Sequence, residues 1–287
     1  MGFLAKIRKM KDIKLVIHCA DIHIRNVQRH EEYAQQLERF VEKCKEIAAP
    51  YEKEEVRILI CGDLVHSKNQ ISNELIVFAS VFLRKLEQIA KVIVISGNHD
   101  LVVDNQTRTD TLTALFETAR FSNCYFFDKM LGYKSGCITD ANVVWALYSI
   151  YDDFMAPSLD TIKEYKEKGS KIIGLYHGSV VGARLQNGTV MDNGLKTKAF
   201  EGCDIVMAGH LHLRQTLHQG STPIVYPSSL LQQTFGETVK AHGFAVWNIE
   251  NMSVEFIDLE TNYGLYAMEI DSVEDIDNDK EKYLNLG

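Results

Sequence analysis

Short, unbroken apolar runs recur along the chain, and five of them lead directly into polar residues that can bind metal ions. Apolar runs of roughly four to eight residues are typical of strands that are buried on both faces of a sheet. In such sheets, functional sites form beyond the carboxyl ends of the parallel strands. The pattern therefore predicts that five strand ends bring Asp, Asn and His side chains to one edge. The runs and the polar residues after them are Leu15–Ala20 with Asp21 and His23, Ile58–Cys61 with Asp63 and His66, Val92–Ile95 with Asn98, His99 and Asp100, Ile172–Tyr176 with His177, and Ile205–Ala208 with His210 and His212.

Segments with apolar residues at helical spacing lie between these runs. The first predicted helix places Tyr33, Leu37, Phe40 and Cys44 on one face and ends before Pro50. Alternating strands and helices up to about Cys203, followed mostly by strands, predict an α/β protein. Two central sheets with helices outside, a four-layer α-β-β-α sandwich, would bury strands this apolar. The predicted helices are 31–48, 73–90, 111–119 and 159–168, and the further strands are 143–147, 223–226, 244–249 and 254–259.

The distribution of histidine sharpens the prediction of a site. Six of the ten histidines lie at or just beyond the five strand ends. A single histidine there would more often be a hydrogen-bonded structural residue than a ligand. Here, however, Asp21 and His23 are two residues apart, as are His210 and His212, so each pair points to one side of an extended chain. Imidazole and oxygen donors without thiolates suit Mn²⁺, Fe²⁺ or Zn²⁺ in an open catalytic site, and the number of donors suggests two ions that share a carboxylate.

These motifs, taken in order, resemble those of the calcineurin-like metallophosphoesterases over roughly residues 14–260. The matching set is Asp21-x-His23, Gly62-Asp63, Gly97-Asn98-His99-Asp100, His177 and Gly209-His210-Leu211-His212. The resemblance implies the four-layer sandwich of the metallophosphoesterase type, with two divalent ions at the carboxyl edge of the strands.

The resemblance also implies a role for each motif residue. One ion would be held by Asp21, His23, Asp63 and His212, and the second by Asp63, Asn98, His177 and His210. His99 matches the family histidine that contacts the scissile phosphate and can protonate the leaving oxygen. Asp100 is expected to cap a helix or to support a ligand through hydrogen bonds.

Finer features separate the branches of this family. Protein phosphatases carry an Asp three residues after the metal-binding Asp, followed by Arg-Gly, whereas this chain has His66 there. This resembles the SbcD-type DNA repair nucleases. The segment Tyr226–Glu237 resembles the one that closes their phosphoesterase domain, especially in phage-type recombination endonuclease subunits. The chain departs from that pattern at Ser228, Ile24-Arg25 and Gly178-Ser179, and none of these departures removes a metal donor.

The resemblance implies a two-metal-dependent DNA nuclease, acting as an exonuclease or endonuclease in DNA repair or recombination. His99 and His66 would be its catalytic residues. Its metal would be Mn²⁺, with Fe²⁺, Mg²⁺ or Zn²⁺ as alternatives. Two other functions stay open: a metallophosphatase or cyclic-nucleotide phosphodiesterase acting on a small molecule or phosphoprotein, and a metal-bound scaffold with little activity. His66 and the Tyr226–Glu237 segment favour the nuclease.

Length and charge set the remaining expectations. A chain of 287 residues that is 46% hydrophobic can bury one large core. We expect a nuclease domain over 1–260, and over 261–287 the start of a truncated or minimal cap segment with an acidic tail. The net charge of −8 is unfavourable for DNA binding, although two divalent ions would add positive charge at the site. SbcD-like proteins dock an SbcC-type ATPase, so that partner is expected together with DNA.

Cysteine usage and hydropathy bear on the location of the protein. The six cysteines form no CxxC pair, which indicates reduced thiols. No apolar stretch approaches the roughly eighteen residues of a membrane span. With the family resemblance, this predicts a cytoplasmic protein of a bacterial cell or phage-infected host, without membrane contact.

The predicted helix 73–90 carries a clue to self-association. Its polar face includes Arg84 and Glu87, and Val77 and Val81 lie within or beside that face, where a monomer would prefer charged residues. SbcD-like proteins dimerise through this region, so a two-fold homodimer through the helices 31–48 and 73–90 is expected. Two scattered surface valines are the alternative.

Overall fold

The computed structural model describes residues 11–68, 71–102, 105, 108–218 and 222–265. Twelve strands and five α-helices form within these ranges. The strands are β1 (Leu15–Cys19), β2 (Val56–Cys61), β3 (Lys91–Ile95), β4 (Cys124–Phe126), β5 (Gly136–Asp140), β6 (Val143–Tyr148), β7 (Lys171–His177), β8 (Ile205–Gly209), β9 (Gln215–Leu217), β10 (Ile224–Tyr226), β11 (Gly243–Asn248) and β12 (Ser253–Asp258). The helices are α1 (His30–Ala48), α2 (Asn73–Ile89), α3 (Thr111–Ala119), α4 (Phe127–Met130) and α5 (Leu159–Glu167).

The strands form two mostly parallel sheets. The first has the order β12-β11-β1-β2-β3-β4, in which β1 to β4 are parallel and β11 and β12 complete an antiparallel edge. The second has the order β5-β6-β7-β8-β10-β9, with antiparallel pairing only at the edge strands β5 and β9. Because neighbouring parallel strands run the same way, the carboxyl ends of β1, β2 and β3 lie at one edge, as do those of β7 and β8.

Successive residues of the central strands enter different cores. Ile58 of β2 packs under the helices α1 to α3, whereas the next residue, Leu59, packs between the two sheets. A third apolar cluster covers the outer face of the second sheet and includes Ile162 of α5 and Phe200. Strands buried on both faces need apolar side chains at every position, which explains their unbroken runs. The four-layer α-β-β-α sandwich is confirmed.

The sequence located the long elements well and missed the short ones. The four predicted helices agree with α1, α2, α3 and α5 to within one residue at each end. The segment 124–140 was not assigned, yet it contains β4, α4 and β5. β4 and α4 are three and four residues long, which is too short for a period to stand out, and β5 is not an apolar run.

One part of the α2 prediction was wrong. Glu87 does not face solvent but is 3% exposed, and its carboxylate accepts the backbone N–H groups of Ser122 and Asn123 at 2.8 and 2.7 Å. The side chain thus secures the turn that leads into β4. Val77 and Val81 are 62% and 48% exposed, as the helical spacing predicted.

Residues 261–265 belong to the predicted cap segment and pack on the sandwich. The backbone N–H of Leu265 donates to Gln232 Oε1, and the Leu265 carbonyl accepts from Gln232 Nε2. Residues 266–287, with the acidic tail, lie outside the described residues, so the division at residue 260 stays a prediction. No helix in the described ranges combines the length and apolar character needed to cross a membrane.

Candidate metal centre

Seven predicted donors follow the ends of five strands and gather at one edge of the sandwich. They fall into two groups, and within each the donor atoms of the carboxylate and the two imidazoles lie within 4.8 Å of one another. Asp21, His23 and His212 form the first group, and Asp63, His177 and His210, with Asn98 beside them, form the second.

The first group joins the loop after β1 to the loop after β8. His23 Nε2 lies 3.1 Å from His212 Nε2 and 3.6 Å from Asp63 Oδ2. His212 Nε2 lies 3.8 Å from Asp21 Oδ1. The Asp21 carboxylate also accepts the backbone N–H of His210 at 2.9 and 3.0 Å, which ties the two loops together. Three side chains from distant parts of the sequence therefore converge on one point.

The second group shares Asp63 with the first. His177 Nε2 lies 3.3 Å from Asp63 Oδ2, and the same oxygen lies 3.6 Å from His23 Nε2 of the first group. His210 Nδ1 and Asn98 Oδ1 are 2.9 Å apart. Asp63 therefore lies between the groups, where a ligand shared by two ions would lie.

His66 and His99 flank these groups and contact each other through the His66 backbone and through both rings. The ring of His99 is oriented by the backbone carbonyl of His66, which accepts from His99 Nδ1 at 2.8 Å. The two rings stack, with centroids 5.1 Å apart, and the ring of His99 meets that of His23 edge-on at 4.7 Å. The backbone of His66 thus orients His99, while its side chain covers one face of the His99 ring.

Asp100 supports the loops rather than capping a helix. Its carboxylate accepts the backbone N–H groups of Gly97 and Asp63, both at 2.8 Å, and of Val65 at 3.1 Å. The residue that caps α3 is Asp110, whose carboxylate accepts the N–H of Thr113 at 2.7 Å. Asp100 therefore holds the loop after β2 against the loop after β3, and so fixes Asp63.

The backbone at this edge adopts an unusual conformation. Asp21, His23, Asp63 and His210 have positive φ angles of 54, 53, 53 and 98°. Residues other than glycine pay roughly 1–2 kcal/mol for the left-handed conformation. Gly97 is needed for a different reason, since a Cβ there would lie 2.2 Å from Asp63 Oδ1. Four of the seven donors thus carry backbone strain, and the backbone at Gly97 approaches one of them closely.

Comparison with known proteins identifies the fold family. The family model for calcineurin-like phosphoesterases matches residues 14–214, which is more than half of the chain and includes all seven donors. The chain belongs to the calcineurin-like phosphoesterase family. Members of this family are metal-dependent hydrolases of phosphoester bonds and use two divalent ions.

One curated relative is similar over most of the chain. It is an uncharacterized protein of Acanthamoeba polyphaga mimivirus, 33% identical over 265 residues, which are 90% of this chain. The chain spans only 19% of the length of that relative.

Solved phosphoesterase structures resemble the chain more distantly. An archaeal phosphodiesterase aligns with a TM-score of 0.40 and 13% identity, over 85% of this chain and 99% of its own. A candidate 5′-nucleotidase from Staphylococcus aureus gives 0.47 and 15%, over 94% of this chain and 57% of its own. The phosphopantetheinyl hydrolase of Mycobacterium tuberculosis gives 0.39 and 12%, over 76% and 90%. At these values the structures carry no argument about substrate.

The electrostatics of the site suit bound cations. Burial alone would raise the pKa of Asp63, but His177 and His23 hold it well below its usual range. Burial likewise opposes the charging of His177, yet Asp63 and Asp21 outweigh it and raise the pKa of His177 to about 10. Burial raises the pKa of Asp21 to about 6 and, with the nearby Asp63, raises that of Asp100 well above its usual range. A proton on His177 thus balances charge that divalent cations would neutralise if they were bound here.

The side chains also fit two ions sterically and chemically. His177 Nδ1 donates to the Cys61 carbonyl at 2.8 Å, so a cation that displaced the second proton would meet the lone pair of Nε2. Within the described part of the chain, His177 Nε2 and His23 Nδ1 are buried and have no hydrogen-bond partner. Buried polar atoms are rarely left unpaired, so the His177 Nε2 lone pair indicates a place for a cation. One ion would be held by Asp21, His23, Asp63 and His212. The other ion would be held by Asp63, Asn98, His177 and His210.

The sequence did not assign a role to Glu237. Its Oε1 lies 2.9 Å from His212 Nδ1, and its Oε2 accepts the backbone N–H of Gln233 at 2.9 Å. Glu237 follows His212 by 25 residues and lies outside any strand. The available signal was the Tyr226–Glu237 resemblance, which pointed to the segment but not to the contact.

Proposed function

We propose that the protein is a two-metal-dependent nuclease that hydrolyses phosphodiester bonds in DNA, of the SbcD type. The observation that carries this proposal is the pair of stacked rings of His66 and His99 beside Asp63. Burial, followed by the charge of Arg25, lowers the pKa of His66 to about 4, so this side chain is neutral near pH 7. A neutral imidazole at this position leaves room for an extended polyanion where a carboxylate would repel one.

His99 supports this proposal as the proton donor. Its backbone N–H donates to Asp63 Oδ1 at 2.7 Å, and its ring Nδ1 donates to the His66 carbonyl, so both the backbone and the ring are held in place. The remaining nitrogen, Nε2, can give a proton to the leaving oxygen. When bound, two divalent ions would lower the pKa of water and stabilise charge on the phosphate. Mn²⁺ is the proposed metal.

Two arginines supply positive charge near the two groups. Arg25 lies close enough to His66 for its charge to affect that side chain. Arg184, together with Asn187 and Thr234, lines a cavity of about 350 Å³ that also contacts His210 and His212. We propose that these arginines bind phosphates on either side of the scissile one, because a nucleic acid presents such phosphates and a small ester does not.

The alternative is a phosphatase or cyclic-nucleotide phosphodiesterase, which the net charge of −8 favours. The same metal groups would serve either reaction. A side-by-side assay with Mn²⁺ separates them, using labelled duplex, labelled single strand, a cyclic nucleotide, bis-p-nitrophenyl phosphate and p-nitrophenyl phosphate. We expect DNA and the diester to be hydrolysed and the monoester to react poorly. Faster turnover of the monoester or the cyclic nucleotide than of any DNA would reject the nuclease.

Charge variants test the contribution of the arginines. Arg25→Gln and Arg184→Gln should raise KM for DNA and weaken its salt dependence, because each removes one phosphate contact. Turnover of bis-p-nitrophenyl phosphate should be unchanged. Lys163→Gln on the exposed face of α5 is the matched control for loss of one positive charge. Equal effects on DNA and diester would contradict the proposed phosphate contacts.

We also propose a homodimer through α1 and α2. A groove of about 590 Å³ between these helices is lined by Leu37, Val41, Phe78 and the exposed Val77 and Val81. An apolar groove of this kind is typical of a protein interface.

Light scattering at tens of micromolar should give twice the monomer mass for the unmodified chain. Val77→Glu combined with Val81→Glu should give a monomer, while Val190→Glu, at another exposed valine, should not. A monomer mass for the unmodified chain would reject the dimer.

We also propose an SbcC-type ATPase as a partner subunit. This proposal rests on the family resemblance alone.

A further inference from the structure

The four histidines of the two groups differ in what supports their rings. His177 Nδ1 donates to a backbone carbonyl, and His210 Nδ1 faces the amide oxygen of Asn98, so both have neutral partners. His23 Nδ1 has no hydrogen-bond partner among the described residues. His212 alone of these four is paired with a carboxylate that is not itself a candidate ligand, that of Glu237.

Glu237 is firmly placed for this contact. Its side chain is 5% exposed, while that of His212 is 21% exposed. One carboxylate oxygen accepts from the His212 ring and from Thr234 Oγ1, and the other from the N–H of Gln233. The Glu237 carbonyl also accepts from Gln232 Nε2. The carboxylate therefore cannot leave His212 without breaking several other hydrogen bonds.

The segment that carries Glu237 is anchored to the start of α1. Arg29 donates to the Gln232 carbonyl at 2.7 Å and pairs with Glu32 at 2.6 Å. Gln233 Nε2 donates to the Ile22 carbonyl at 3.3 Å, next to His23. The segment that carries Glu237, the partner of His212, is therefore hydrogen-bonded to the loop after β1.

We propose that Glu237 is a positioning residue that directs His212 Nε2 into the first group and makes this group the tighter of the two ion sites. A carboxylate that accepts from Nδ1 fixes the tautomer and orientation of the ring and strengthens Nε2 as a donor. The first group also contains Asp21, whereas the second contains no carboxylate besides the shared Asp63. This proposal depends on the two-ion assignment and not on the choice of DNA as substrate.

The test is calorimetric titration of the metal-free protein with Mn²⁺, which resolves the two binding steps without any substrate. Glu237→Ala should weaken the tighter step by about 10–100-fold, the usual effect of losing such a partner, and leave the other step within about 2-fold. Glu237→Gln should have a smaller effect on the same step, because an amide oxygen can still accept from His212 Nδ1. Circular dichroism of each metal-free variant checks that the fold is retained.

Glu32→Gln is the matched control. It removes a carboxylate that holds Arg29 against the same segment, without contact to His212. Both binding steps should keep their wild-type affinity, because Arg29 still donates to the Gln232 carbonyl when Glu32 is replaced. If Glu32→Gln reproduces the effect of Glu237→Ala, or if Glu237→Ala weakens both steps equally or neither, the proposal is overturned.

The outcome is separable from that of the proposed nuclease. Two ions bound by the wild-type protein, a selective loss in Glu237→Ala and no cleavage of DNA would reject the nuclease and support the positioning role. A single ion in the wild-type protein would overturn the positioning role.

Discussion

The apolar residues inside the strands and Asp63 just beyond a strand end are equally buried, but only the burial of the apolar residues is itself stabilising. Ile58, Leu59 and Ile60 of β2 are 0% exposed, and Asp63, three residues later, is 2% exposed. Burial of the apolar side chains contributes roughly 25 cal/mol per Å² of area. Burial of the Asp63 carboxylate carries a desolvation cost, which the charge on His177 and the N–H of His99 offset. The sandwich therefore supplies the stability that allows the donors to be held in place.

This contrast predicts that the two regions respond to different changes. The interior should tolerate changes of atom type that preserve volume, and lose stability when volume is lost. At the edge that carries the donors, replacement of a single donor or catalytic atom should remove bound ions or slow catalysis, with little effect on the fold. Four changes test this contrast.

Asp63→Asn should have the largest effect and abolish hydrolysis. The amide oxygen can still accept the N–H of His99, so the fold should survive, but the charge between the two groups is lost. Metal counting should show fewer than two ions, and circular dichroism an unchanged fold. Full activity in this variant would refute the assignment of Asp63 to both ions.

His99→Ala should slow hydrolysis by about two to four orders of magnitude, the usual range for loss of a general acid. Both ions should remain bound, because His99 is outside both proposed ligand sets, although its ring lies near those of His23 and His66. Single-turnover rates and metal counting together test this. Loss of an ion in this variant would mean that His99 serves the metal centre instead.

Leu59→Ala should reduce the free energy of unfolding by about 2–5 kcal/mol, because it leaves a cavity between the sheets. The affinity for Mn²⁺ should stay at the wild-type value wherever the variant is folded. Chemical denaturation and calorimetry measure the two quantities. A loss of metal affinity with little loss of stability would contradict the prediction that interior changes affect stability and not metal binding.

His18 is an exception that sharpens the contrast, since it is an imidazole inside β1. It is 0% exposed, its ring nitrogens make no well-formed hydrogen bond within the described ranges, and burial, which outweighs the nearby Ala208 backbone, lowers its pKa to about 3. In the unfolded chain the pKa of His18 is near 6.5, so as pH falls the unfolded chain binds a proton at His18 before the folded chain does. The folded state therefore keeps its full stability above pH 6.5 and loses stability as pH falls toward 3. The contribution amounts to about 1.4 kcal/mol per pH unit. His18→Leu should therefore flatten the loss of stability between pH 6.5 and 4 relative to the wild type, as measured by denaturation. Parallel curves would show that His18 does not titrate in this way.

The sequence predicted the fold and the convergence of the candidate donors because both depend on local patterns. Unbroken apolar runs mark doubly buried strands, and the residue after each run is fixed at the edge by the direction of its strand. Contacts between distant segments could not be predicted in this way. Glu237 meets His212 through a loop without periodicity, Glu87 turns inward to meet Ser122, and His66 acts on His99 through its carbonyl. A backbone contact is nearly independent of residue type, so no sequence pattern records it.

The left-handed backbone at His23 and His210 has a practical consequence. Glycine adopts that conformation without steric strain, so His23→Gly removes an imidazole and relieves backbone strain at the same time. Imidazole added to the solution could then occupy the vacated space, which would make the proposed hydrolysis dependent on a small molecule. His177→Gly is the comparison, because His177 ends the strand β7, where glycine costs roughly 0.5–1 kcal/mol. Chemical rescue should therefore succeed more readily at the two strained positions than within the strand.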